Sequence, residues 1–113
     1  MAGMALPDTR LTDVLTELRE ELCQLYGSRL VELILYGSQA RGEARSDSDI
    51  DVMVVLSGDV DPWTEIERAG KVTAALSLKH DVVISCIYIP TSRFLNDKNS
   101  PLLKNVHHEG IKL

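Results

Sequence analysis

The chain lacks the residues and segments that mark several classes of protein. Only two of its 113 residues are cysteines, Cys23 and Cys86, and they do not form a C-x-x-C pair. Two cysteines make no disulfide framework, so the sequence predicts a cytoplasmic protein with two buried thiols. No run of 18 apolar residues is present, which argues against a membrane span. The first ten residues, MAGMALPDTR, also lack the pattern of a signal peptide.

Positive charge is scarce as well. The chain has 12 Lys and Arg against 17 Asp and Glu, which gives a formal net charge of −5. Non-specific binding of DNA or RNA depends on clustered Lys and Arg, so direct contact with nucleic acid is not expected. A small anionic ligand remains compatible with this balance if local cations or a metal offset its charge. The length and the 44% hydrophobic content predict a single globular domain over residues 1–113.

Hydrophobic spacing and turn residues divide the chain into alternating helices and strands. The helical segments are Thr9–Tyr26, a second helix from Asp61-Pro62 to about Leu78, and one or two short helices around Arg93–Leu95 and Leu102–His108. In the second helix, one stripe is expected to pack on the core: Trp63, Ile66, Ala69, Thr73 and Leu76. The apolar runs that predict strands are Leu30–Tyr36, Ile50–Leu56 and Asp81–Ile89.

The order of these elements predicts the topology of the sheet. Strand, helix, strand from Ile50 to Ile89 is a βαβ unit, whose two strands are parallel. The connection from Tyr36 to Ile50 is too short for a crossover helix, so the first strand is expected to run antiparallel to the second. The fold class is therefore α/β (α+β), a small mixed sheet with flanking helices.

Polar residues of three segments meet at one edge of this predicted sheet. Gly37-Ser38 ends the first strand, Asp49 and Asp51 open the second, and Asp81 opens the third. Asp49 and Asp51 point to the same face of an extended chain, where their mutual repulsion favours a divalent cation, Mg²⁺ or Mn²⁺. Gly37 permits close approach of a ligand to the backbone. Ser38 is expected to cap a short helix over residues 39–42 whose N–H groups attract phosphate.

Two familiar loops with similar composition are excluded by single residues. The stretch from Gly37 to Gly42 has the glycine spacing of a P-loop, but Glu43 occupies the position of its lysine. An EF-hand loop counted from Asp47 would need Gly and Glu where Val52 and Gly58 stand. The acidic residues therefore do not belong to either motif.

The fifteen residues GSQARGEARSDSDID, from Gly37 to Asp51, resemble the GSxARGxARxxSDxD signature of the minimal nucleotidyltransferases. These proteins belong to the DNA polymerase β-like nucleotidyltransferase superfamily, and the small MNT branch includes the antitoxins of HEPN/MNT toxin–antitoxin pairs. The order of helices and strands and the closing segment from Ser100 to Gly110 are similar to that branch, so nearly the whole chain is covered.

The resemblance implies a role for each matching residue. Gly37 and Ser38 would hold the triphosphate of an NTP, with Arg45 as a further phosphate contact. Asp49 and Asp51 would bind divalent ions. Asp81 would be the third carboxylate of the metal site and the base for the attacking hydroxyl. Arg41 would meet phosphate or pin the loop through a carboxylate.

The resemblance also implies an activity and a partner. The protein would transfer a nucleoside monophosphate, AMP from ATP, to a hydroxyl such as a tyrosine of a HEPN toxin from the adjacent gene. No acceptor domain follows the motif, so the acceptor site would lie on another macromolecule or on a surface shared between subunits of a homo-oligomer. Two alternatives stay open: neutralisation of the toxin by binding alone, and a free-standing transferase with a small-molecule acceptor.

Overall fold

The structure is a computed structural model that describes residues 9–42 and 49–113. Along the chain the elements are α1 (Thr9–Tyr26), a short 3-10 turn (Gly27–Arg29), β1 (Leu30–Tyr36), α2 (Ser38–Arg41), β2 (Ile50–Leu56), α3 (Pro62–His80), β3 (Ile84–Pro90), α4 (Thr91–Asn96), α5 (Pro101–Glu109) and β4 (Ile111–Lys112). Arg45, a predicted phosphate contact, lies outside the described residues. Across those residues, no helix has the length and apolar character that a membrane crossing requires.

The four strands form one mixed sheet in the order β3-β2-β1-β4. β2 runs parallel to β3 and antiparallel to β1, which confirms the predicted fold class and topology. β2 is central and buried on both faces, with Val52 and Val54 inaccessible to solvent on one face and Met53 and Val55 on the other. A strand that is apolar on both faces must have a layer on each side.

Helices cover both faces of the sheet. α1 and α3 pack on one face through a cluster that includes Leu18 and Ala69. α4 and α5 lie on the other face, where Leu103 and Val106 pack against Met53. The side chains of alternate β2 residues enter opposite layers, so Asp49 and Asp51 belong by alternation to the face that α4 and α5 cover.

Two predicted features of the helices are wrong. Trp63 and Ile66 are exposed on α3, at 76% and 48% of their surface, whereas Glu65 is 98% buried. Glu65 takes an inward position because its carboxylate accepts a hydrogen bond from the hydroxyl of Tyr26 at 2.8 Å. Cys23 is exposed on α1, contrary to the prediction of a buried thiol, while Cys86 is partly buried in β3.

Candidate active site

Gly37 and Asp51 lie close together at the predicted edge. The backbone of Gly37 has φ +75° and ψ −156°, a region that is essentially restricted to glycine. A Cβ atom at this position would lie 2.6 Å from Oδ2 of Asp51. Antiparallel pairing explains this proximity, since Tyr36 is the partner of Asp51 and Gly37 is the next residue. Glycine is therefore required here both for its conformation and for the space that the carboxylate occupies.

The turn after β1 differs in detail from the prediction. Gly37, not Ser38, is the N-cap residue of α2, and no side chain caps this helix. Ser38 is instead the first helical residue, and its hydroxyl has no hydrogen bond to another described residue. Gly42 ends the short helix in the left-handed conformation at φ +73°. Ser38 thus directly follows Gly37, the residue that approaches the Asp51 carboxylate.

The structure brings Asp49 and Asp51 together. Asp49 is exposed and Asp51 is half-buried at the start of β2. Burial, and secondly the charge of Asp49, raise the pKa of Asp51. The pKa of Tyr36 is also raised, to about 12. Burial is the main cause, and the charge of Asp51 is the second. The electrostatics at this edge therefore disfavour further negative charge unless a cation is bound.

Asp81 lies at the same edge but belongs to a turn rather than to a strand. It is exposed and is the C-cap residue of α3, with φ +53° in the left-handed region. β3 begins three residues later, at Ile84, which corrects the predicted strand start. The residue paired with Asp51 in parallel register is Ser85, which pattern reasoning did not single out. Only the register of β2 on β3 identifies it, because a lone serine in an apolar run carries no signal of its own.

Ion pairs hold the surroundings of this edge. Nη1 of Arg41 lies 3.7 Å from Oε1 of Glu109 at the end of α5, so the motif arginine has the carboxylate contact expected of a loop-pinning residue. His80 and Lys79 contact Glu17 of α1, which fixes the end of α3 just before Asp81. The imidazole of His80 is therefore occupied by a structural contact with another helix.

The residues present fit a divalent cation supplied together with a phosphate ligand. In residues 9–42 and 49–113, no three His, Cys, Asp or Glu side chains are grouped as a ready metal site. Mg²⁺ commonly uses only one or two carboxylates and completes its shell with waters and substrate phosphates. Asp49 and Asp51 meet that requirement, and because burial and the charge of Asp49 raise the pKa of Asp51, a nearby cation would favour its ionised form.

Comparison with known proteins agrees with this arrangement. Residues 15–109 match the family described as the nucleotidyltransferase domain. Protein adenylyltransferase MntA of Thermococcus cleftensis is 34% identical over 84 residues, which span 74% of this chain and 81% of that protein.

Two solved structures share the fold. A toxin–antitoxin structure with AMP-PNP has a TM-score of 0.55 at 22% identity and covers 95% of this chain and 72% of the matched chain. A complex of tri-AMPylated HEPN toxin with MNT antitoxin from Shewanella oneidensis has a TM-score of 0.50 at 19% identity, covering 92% and 68%. With the family match over most of its length, this chain belongs to the nucleotidyltransferase-domain family, among the minimal nucleotidyltransferases that include MntA.

Proposed function

We propose that this nucleotidyltransferase moves AMP from ATP to a tyrosine hydroxyl of a HEPN-type toxin encoded beside it, and that it acts as the antitoxin. The observation that carries the proposal is the contact of the Asp51 carboxylate with Gly37, beside Asp49 and Ser38. A carboxylate pair next to a glycine turn can hold a metal-bound triphosphate close to the backbone. The relative from Thermococcus cleftensis is named a protein adenylyltransferase, and the Shewanella oneidensis complex contains an AMPylated HEPN toxin.

The residues of the site divide the work of the transfer. Asp49 and Asp51 would hold a divalent ion, Mg²⁺ or Mn²⁺, which offsets the charge of the phosphates when it is bound. Gly37 admits the triphosphate, and Ser38 donates a hydrogen bond to it. Arg45 is a further proposed phosphate contact. The acceptor oxygen bonds to the α-phosphorus while the bond to pyrophosphate breaks.

The proton of the acceptor hydroxyl needs a base at this edge. We assign it to Asp81, which precedes β3 and is exposed to an incoming partner. Asp81 is offered as the base and third carboxylate because the carbonyl of Val83, two residues later, accepts a 2.8 Å hydrogen bond from the N–H of Ile50. That bond joins the segment after Asp81 to the residue between Asp49 and Asp51, which supports the assignment.

The experiment is an AMP-transfer assay on the complex. The chain is co-purified with the HEPN protein of the adjacent gene, and labelled ATP and Mg²⁺ are added. Intact-mass spectrometry should show the partner gaining AMP, and peptide mapping should place it on a tyrosine. Asp49→Asn and Asp51→Asn should lose the added mass, whereas Asp59→Asn, a change at an exposed aspartate between β2 and α3, should keep it.

A second candidate is neutralisation of the toxin by binding alone. It is favoured by the absence, among the described residues, of a three-carboxylate cluster at the edge. A stable complex that protects cells but never gains mass, in the wild type and in Asp51→Asn alike, would establish this alternative. If no complex forms and labelled AMP appears on a small acceptor instead, the chain is a free-standing transferase.

A further inference from the structure

A surface pocket lies between α4 and α5, on the outer side of the helices that cover one sheet face. We call it the α4–α5 pocket; its lining residues are Leu95, Asp97, Lys98, Lys104, His107 and His108. Its volume is about 480 Å³. Pockets of roughly 300–1,000 Å³ are the usual size for small ligands. None of these residues belongs to the edge of the sheet that carries Asp49 and Asp51.

The charge of the pocket is opposite to that of the whole molecule. Lys98 and Lys104 contribute two ammonium groups, in a chain whose formal net charge is −5. The single carboxylate in the lining, that of Asp97, is already engaged. Its Oδ2 lies 3.4 Å from Nε of Arg93, and its Oδ1 accepts a hydrogen bond from the N–H of Asn99. The two ammonium groups are therefore not neutralised by the carboxylate beside them, and an anion is favoured in the pocket.

One wall of the pocket is fixed by packing. The ring of His107 lies 4.4 Å from that of Phe94, centroid to centroid, and its Nε2 is 2.9 Å from the carbonyl oxygen of Phe94. These two contacts tie α5 to α4 and hold the imidazole in place. Leu95 adds an apolar side chain that is 61% exposed. A flat ring and an apolar side chain beside two ammonium groups match a ligand with a planar base and a phosphate.

We propose that the α4–α5 pocket binds a mononucleotide through its phosphate, as a second nucleotide site distinct from the Asp49–Asp51 edge. Lys98 and Lys104 bind the phosphate as point charges. The base packs on the wall that His107 and Leu95 form. This binding needs no divalent cation, because the cations are the lysines themselves. The proposal does not depend on the AMP-transfer reaction and stands or falls separately from it.

The test is a titration of the full-length chain with AMP in EDTA, followed by amide NMR shifts and calorimetry. EDTA suppresses metal-dependent binding at the carboxylate edge. AMP should shift amides of residues 95–98 and 104–108. Lys98→Glu/Lys104→Glu should weaken AMP binding by about tenfold or more, through loss of charge-assisted contacts. Inorganic pyrophosphate should compete for the same amides.

A matched control distinguishes binding in the α4–α5 pocket from a general effect of the protein's net charge. Arg19→Glu/Lys71→Glu makes the same change in net charge on α1 and α3, which cover the opposite sheet face. It should alter AMP affinity by less than about threefold, and melting curves should show both variants folded. Equal weakening in the two variants overturns the proposal, as do shifts confined to residues 37–42 and 49–51. Binding of single-stranded RNA without binding of AMP also overturns it.

Discussion

Gly37 lies against the carboxylate of Asp51, the proposed metal ligand, in the turn that we propose binds phosphate. Its φ is positive, and an added Cβ would lie only 2.6 Å from Oδ2 of Asp51, so a methyl group has neither a favourable conformation nor room. We expect Gly37→Ala to displace the Asp51 carboxylate and to abolish nucleotide transfer. Stability should fall by about 1–3 kcal/mol, the range for a strained backbone residue.

Gly27 supplies the matched control for this prediction. It also has a positive φ, +55°, but an added Cβ would meet nothing within 4 Å. Gly27→Ala should therefore cost about 1–2 kcal/mol of strain and leave transfer per folded molecule unchanged. Both predictions are tested by measuring transfer rates and denaturant melts of the two variants. Normal transfer by Gly37→Ala would show that the close contact with Asp51 is irrelevant to the site.

Asp81 and Ser85 are two candidates for the third polar group at the edge. If Asp81 is the base, Asp81→Asn should cut turnover by roughly a hundredfold or more while nucleotide affinity changes little. Ser85, the register partner of Asp51, should matter less, and Ser85→Ala should reduce turnover by no more than about tenfold, the usual effect of one hydrogen bond. Single-turnover rates and calorimetry on both variants separate these effects. The reverse ranking would move the third position from Asp81 to Ser85.

Residue spacing predicted that Gly37, Asp49 and Asp51 lie close together, but it did not predict the turn that contains Asp81. Gly37 and Asp51 flank the link between β1 and β2, and antiparallel pairing of these two strands brings them together. Asp81 precedes the apolar residues Val82 and Val83, which look like the start of a strand. In the structure α3 continues to His80, and the N–H of Val82 bonds to Ser77, so a helix-ending turn replaces the first strand residues.

Among the elements, α1 and α3 are joined by a buried carboxylate. Oε1 of Glu65 accepts hydrogen bonds from the hydroxyl of Tyr26 at 2.8 Å and from Nη1 of Arg68 at 3.1 Å, and Oε2 lies 3.7 Å from Nη1 of Arg29. Burial and the Glu65 carboxylate raise the pKa of Tyr26. This group lies on the sheet face opposite α5 and takes no part in the proposed transfer.

Glu65→Gln tests this group as a purely structural contact. The variant loses the charge that Arg68 and Arg29 contact, and we expect the free energy of unfolding to drop by about 1.5–3 kcal/mol, the range for a hydrogen bond to a charged group. Transfer per folded molecule should stay at the wild-type rate. Glu67→Gln, at an exposed position of the same helix, should change neither quantity. Thermal melts measure the stability, and transfer assays measure the activity. Loss of transfer by Glu65→Gln at full stability would contradict a purely structural role.

The buried glutamate also explains why the inward stripe of α3 was mispredicted. Apolar periodicity predicted that Trp63 and Ile66 face the core, but Glu65 faces it instead. Its partners lie in α1, in the 3-10 turn that follows α1, and in α3 itself. Such a long-range polar contact leaves no periodic signal. β4 was missed for a related reason: two residues form a strand only because Ile34 and Leu35 of β1 pair with them.

At the scale of the whole molecule, connection length determined the topology. A short link between β1 and β2 forces antiparallel pairing, and the long α3 permits the parallel pairing of β2 with β3. These two constraints bring the end of β1 and the start of β2 to one edge. They also bring Asp49 and Asp51 together. The repulsion between these carboxylates lowers the stability of the metal-free protein, and ligand binding should remove this destabilisation.

The direction of the pKa shift of Asp51 predicts how the stability of the metal-free protein depends on pH. Burial and the charge of Asp49 raise the pKa of Asp51, so the metal-free fold is favoured when Asp51 is protonated. That stability is lost as the pH rises through the raised pKa. Asparagine cannot ionise, so at pH 7 and in EDTA the Asp51→Asn protein should melt no lower than the wild type.

Mg²⁺ with AMP-PNP should reverse this order. At tenfold its dissociation constant a ligand adds about 1.4 kcal/mol to the native state. For a domain of about 100 residues, this raises the melting temperature by roughly 6–11 °C. In the wild type and in Asp59→Asn the rise with AMP-PNP should be larger in Mg²⁺ than in EDTA, whereas in Asp51→Asn it should be the same in both conditions. Differential scanning fluorimetry across these conditions measures each shift, and an undiminished Mg²⁺-dependent rise in Asp51→Asn would exclude Asp51 as a metal ligand.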